Sequence, residues 1–124
     1  MKIYAFFVLW SVMVLASCAP RVGPAYIYHR AQPIEIELKD FSFSPDHFVV
    51  LGNESPITLL LKNESTLRHN FTLMAPDRTI VLSKDSDPNT LVTLNIESLK
   101  PVNYLFYCSF HQQKGMQGMM MVDQ

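Results

Sequence analysis

The segment YCSFHQQKGMQGMMMV, residues 107–122, sets a cysteine, Cys108, a few positions before His111 and Met116. A thiol, an imidazole and a thioether so close together are soft and borderline donors, a set suited to holding a metal ion. A second imidazole, His69, stands well upstream at the head of the strand-like run HNFTLM. Two imidazoles, a thiolate and a weak thioether suit copper, because thiolate stabilises Cu(I) while imidazole binds both oxidation states. Zinc would accept the nitrogens and the sulfur but would not call for the methionine.

Each of these residues has a plainer explanation when taken singly. A lone cysteine is more often a buried, inert thiol. Histidines on strands are usually surface or satisfied residues, and His29 and His47 are read that way. Met119, Met120 and Met121 read as core and edge packing on a last strand, since alternate residues of a strand face opposite ways. The sequons at Asn53, Asn63 and Asn70 are read as accidental.

The compartment narrows the choice. Residues 1–17, MKIYAFFVLWSVMVLAS, carry one cation at Lys2 and then apolar runs too short and too soon interrupted for a permanent span, which is the layout of an export signal. Leu15-Ala16-Ser17-Cys18 resembles the lipobox of bacterial lipoproteins. The resemblance implies cleavage before Cys18, lipidation of its sulfur, and a chain anchored to a membrane without crossing it, on its periplasmic or cell-surface face. With Cys18 so used, Cys108 is the one remaining thiol of the two cysteines, in a compartment where cysteines usually pair. The charge balance, ten Lys and Arg against eleven Asp and Glu, offers no basic footprint for nucleic acid.

The elements that would position these donors are β throughout. Residues 18–33, rich in proline and without periodicity, read as a tether that follows the lipidated cysteine. Residues 34–124 form one domain in which short strands are expected at 34–38, 41–43, 47–51, 56–63, 69–74, 79–82, 90–96 and 102–108, with a last one in GMMMV. Polar clusters separate them, and LSKDSDPN, residues 82–89, reads as the most polar loop, with room for a turn of helix. Seven to nine strands at this spacing predict an all-β fold, an antiparallel sandwich or Greek-key barrel.

A His2Cys set with a weak axial Met is the blue-copper arrangement, and the residues from Ile34 onward resemble the cupredoxins, the small blue copper proteins. The resemblance rests on Phe41-x-Phe43-x-Pro45, on a strand ending in Lys62-Asn63, on His69-Asn70-Phe71 and on the Cys108-x2-His111-x4-Met116 loop. It implies a single type 1 copper with His69, Cys108 and His111 as equatorial ligands and Met116 as axial ligand. It further implies that Asn70 and Ser109 support the cysteine sulfur. Two positions depart from the pattern. Phe110 stands where proline is common, which bears on the loop's rigidity, and Arg68 puts a cation beside His69.

The expected function is one-electron transfer by copper cycling between Cu(II) and Cu(I), with redox proteins such as a cytochrome or an oxidoreductase as partners and with no catalysis of its own. The alternative is a copper-binding protein for delivery or storage. A multicopper enzyme would need more histidine pairs, and a binuclear centre would need a second loop cysteine where Gln112 stands.

Overall fold

The computed structural model describes residues 25–52 and 56–124. The signal-like segment and Cys18 lie outside the described residues, as does the first sequon, so the export, cleavage and lipidation expectations are not addressed by it. Among the described residues no helix is long and apolar enough to cross a membrane.

Ten strands follow in order: β1 (Tyr26–His29), β2 (Ile34–Lys39), β3 (Ser42–Ser44), β4 (His47–Leu51), β5 (Ile57–Asn63), β6 (His69–Met74), β7 (Ile80–Ser86), β8 (Thr90–Ile96), β9 (Asn103–Tyr107) and β10 (Gln117–Asp123). They form a six-stranded sheet, β1-β4-β10-β9-β6-β7, and a four-stranded sheet, β3-β2-β5-β8. The period-2 pattern of the sequence becomes the two faces of each strand. In β2 and β5 the apolar residues Ile34, Ile36, Leu38, Ile57, Leu59 and Leu61 all point into the core, and polar or half-buried residues alternate with them.

Four phenylalanines fill the space between the sheets. Phe106 lies at the centre, with its ring centroid 5.2 Å from Phe43, 5.7 Å from Phe48 and 5.3 Å from Phe71. All four are essentially excluded from water. Each such ring contributes about 1.5–3 kcal/mol by burial, which suits a small domain that has no disulfide among the described residues. Cys108 and Met116 belong to the same continuous core, so the proposed donors sit on its edge and inherit its rigidity.

Three expectations need correction. The sheets are mixed: β4 runs parallel to both β1 and β10, and β2 runs parallel to β5. Hairpins join neighbours antiparallel, whereas chain segments that return after visiting the other sheet can pair parallel. The presumed loop 82–86 is strand: β7 continues to Ser86, its exposed polar residues being those of an edge strand paired on one side with β6. Lastly, part of the presumed tether is folded. Tyr26–His29 pairs along the whole of its length with residues 48–51 of β4, and the Tyr28 ring packs edge-on to Phe48 at 5.8 Å.

Candidate metal centre

β6 and β9 lie side by side, with Thr72 opposite Tyr107, and this pairing brings the head of one strand to the tail of the other. His69 opens β6 and Cys108 directly follows β9. From there the chain makes a hydrogen-bonded loop. The His111 N–H donates to the Cys108 carbonyl at 3.1 Å, the Gly115 N–H to the Gln112 carbonyl at 2.9 Å, and the Cys108 N–H to the Met116 carbonyl at 3.0 Å. Gly115 takes a left-handed conformation, φ 81°, at the end of the single 3-10 turn Gln112–Lys114, a geometry that glycine adopts without steric cost. The loop thereby closes before β10 begins. Its order comes from these bonds, so the absence of proline at Phe110 leaves it well tied.

The His69, Cys108 and His111 side chains converge, with one donor atom from each lying within 4.8 Å of the others. The Cys108 sulfur is 3.5 Å from His111 Nδ1, and the two imidazole centroids are 5.0 Å apart. His69 and Cys108 are fully buried and His111 is half-exposed. Met116 is buried as well and is held beside the cysteine by the backbone bond already described.

The buried imidazole of His69 carries a distinct signature. Its Nε2 lies 2.9 Å from the Ser65 hydroxyl, while its Nδ1 is buried with no hydrogen-bond partner. A buried polar nitrogen left unpaired costs roughly 1–3 kcal/mol, and a metal ion is the partner that this donor set fits. Burial pushes His69 below the ordinary histidine range and the neighbouring His111 adds to this, against an opposing pull from Asp40. The neutral ring is the form that ligates.

The surroundings of the sulfur are equally specific. The backbone N–H of Asn70 donates to Cys108 Sγ at 3.2 Å, and the Asn70 side-chain oxygen accepts from the backbone N–H of Ser109 at 3.5 Å. Asn70 Nδ2 in turn donates to Asp85 at 2.7 Å and to Ser83 at 3.1 Å. Ser109 itself is exposed, and it meets Asn70 through its backbone. Nothing in the sequence pattern gives Ser65 or Asp85 a role at the site, and Asn63 reads there as the end of a strand and a chance sequon. Asn63 is fully buried; its amide donates to the carbonyls of Leu67 and Ser86 at 2.9 Å, and its oxygen accepts from Ser65 at 2.8 Å. It thus fixes the serine that orients His69. An asparagine closing the otherwise apolar inward face of β5 was the available signal.

Arg68 does not act as a free cation. Its guanidinium is 2.7 Å from Asp85 and 3.1 Å from Asp87, and it lies over the exposed Phe110 ring at 5.7 Å. Phe41 packs edge-on to His111 at 5.1 Å and is itself covered by Lys114 at 4.2 Å. His29 lies exposed on β1 and His47 half-buried on β4, both outside this cluster.

Together, a two-sheet sandwich and a largely buried His-Cys-His cluster between two strand ends, whose donors could hold a metal ion, define a small β domain. Residues 4–122 match the family model described as cupredoxin-like domain, and the chain belongs to that family. No curated protein sequence matches it. Among solved structures it is similar to dithionite-reduced auracyanin from Roseiflexus castenholzii, at 22% identity over 73% of this chain and 95% of that one, with a TM-score of 0.63. It is also similar to auracyanin A, described as a blue copper protein, from Chloroflexus aurantiacus, at 19% identity over 73% and 98% of the two chains, with a TM-score of 0.60. A copper-containing nitrite reductase from Thermus scotoductus matches at 18% identity and a TM-score of 0.56, over 75% of this chain but 23% of the enzyme. At these identities the likeness is one of fold.

Proposed function

We propose that the protein carries single electrons through one type 1 copper held by His69, Cys108, His111 and Met116. The observation that bears most weight is the unpartnered, buried Nδ1 of His69, grouped with the Cys108 thiol and the His111 imidazole. The cupredoxin-like family and the blue copper auracyanin support the choice of metal. When bound, copper supplies a one-electron couple between Cu(II) and Cu(I). The chain's own part is to keep the donors still. Ser65 holds the His69 ring, the Asn70 N–H points at the sulfur, and the loop bonds hold residues 108–116. Donors that do not move between oxidation states keep the cost of each transfer low. His111, half-exposed and flanked by Phe41 and Phe110, offers the route between the site and a partner such as a cytochrome or an oxidoreductase. This is a carrier's equipment; the match to a reductase covers 23% of a far larger chain. We also infer export and anchoring through Cys18, on the signal-like residues 1–17 and the LASC sequence.

The test is an absorption and EPR spectrum of the copper-loaded protein beside its Cys108→Ser and Met116→Gln variants. An intense visible thiolate band is expected, lost with serine and shifted with glutamine. A fully loaded, oxidised sample without that band would overturn the proposal. Reversible voltammetry separates the carrier from a delivery or storage protein, which would exchange its metal without redox cycling.

A further inference from the structure

The three consecutive methionines of β10 divide between two environments. Met120 is buried in the core, while Met119 and Met121 are 42% and 36% exposed on the outer face of the six-stranded sheet. Burial explains the first. It does not explain two thioethers at positions where a half-solvated sheet usually places polar or β-branched residues.

The register shows what stands beside them. Across the parallel ladder to β4, Met119 is opposite His47 and Met121 is opposite Val49. His47 and Val49 alternate with the buried Phe48 and Val50, so their side chains share the outer face with Met119 and Met121. The ladder is locked here, because the Met119 N–H donates to the Asp46 carbonyl at 2.8 Å. Neighbouring strands lie about 4.8 Å apart, and residues two apart on one strand are separated by about 6.5–7 Å. Met119 is therefore a direct neighbour of both His47 and Met121, while His47 and Met121 lie diagonally across the ladder, about 8 Å apart. Their long, rotatable side chains can bring one ring nitrogen and two sulfurs together around a single ion. Met74 lies in the same cross-strand row, but Leu105 of β9 stands between it and Met119.

We propose that His47, Met119 and Met121 form a second, solvent-accessible site for a soft monovalent cation, Cu(I) or its analogue Ag(I). Thioethers are soft, uncharged donors that favour Cu(I) over harder divalent ions, and imidazole completes a three-donor set. The cluster carries no thiolate, so it binds more weakly than the Cys108 site and exchanges its ion with solvent. None of its three donors belongs to that site, and the second site stands or falls independently of the first.

Silver nitrate, titrated into the full chain carrying 13C-methyl methionine, tests this by NMR together with native mass spectrometry. The methyl signals of Met119 and Met121 and the ring signals of His47 are expected to shift together and to saturate, while Met74 stays still. The Met119→Leu/Met121→Leu double variant should bind one silver fewer. These substitutions conserve volume at exposed positions and leave the fold in place, and the visible copper band reports separately on the Cys108 site. His47→Gln should weaken the second silver by at least the roughly tenfold that loss of an outer-shell partner costs a metal site. Unmoved Met119 and Met121 signals, equal movement of Met74, or an unchanged silver count in the double variant would each overturn the proposal.

Discussion

At the scale of single residues, the centre depends on groups that touch no metal. Asn70 is nearly excluded from water, and its side chain joins Ser109, Thr72, Ser83 and Asp85. Replacing it with alanine leaves the backbone N–H to Cys108 in place but removes a bond from buried Thr72, which keeps Ser83 as a partner, and the ties to Ser109, Ser83 and Asp85, which are exposed to water. Loss of such hydrogen bonds costs about 0.5–1.5 kcal/mol each at most. Asn70→Ala is thus expected to lower the unfolding free energy read from a urea titration by an amount in that range, with a lower midpoint, and to broaden or shift the thiolate band because the loop after Cys108 loses its tie. An unchanged midpoint would mean that water replaces the amide without loss. Asn70 was legible in the sequence because it follows His69 directly. Ser65 and Asp85 were not, because they reach the site only through the packing of β5 and β7 against β6, and no spacing rule connects them to a ligand.

At the scale of elements, β10 is both the end of the ligand loop and the centre of the larger sheet, and Gly118 is where these two demands meet. A Cβ at this position would fall on the Phe106 ring and on the backbone carbonyl of Asp46, well inside contact distance. The ring is fixed at the middle of the core, and a backbone carbonyl cannot swing aside. Gly118→Ala should therefore destabilise by at least the roughly 1–3 kcal/mol of an overpacked core, read from denaturant unfolding, with weaker copper retention because Met116 lies two residues away. Nine of the ten strands among the described residues were readable, β2, β5 and β8 from clear alternation between faces and others, such as β6, as short β-prone runs bounded by polar turn clusters. The parallel pairings of β4 and β2 were not readable, because alternation says which face a residue takes and nothing about which strand lies beside it. The polar run 82–86 misled for the opposite reason. As part of an edge strand it needs no apolar face to earn its place, only backbone partners on β6.

At the scale of the whole molecule, the open question is where the domain begins. Three prolines and a glycine between residues 19 and 33 hid a strand of four residues, too short to establish a period of its own. β1 nevertheless caps the β4 edge of the larger sheet, and the Arg30 N–H extends the ladder to the Leu51 carbonyl at 3.1 Å. Without it HFVVL becomes an unpaired apolar edge, a template for pairing with another chain. Tyr28 and Phe48 would also lose an edge-to-face contact worth about 0.5–1.5 kcal/mol beyond the area it buries. A chain beginning at Ile34 should accordingly melt several degrees below one beginning at Ala25, since about 1 kcal/mol corresponds to roughly 4–8 °C in a domain of this size. It should also associate as its concentration rises, visible by light scattering. The thiolate band should be the same in both chains, because none of the four proposed ligands packs on β1. Equal melting temperatures and equal scattering would return residues 26–29 to the tether.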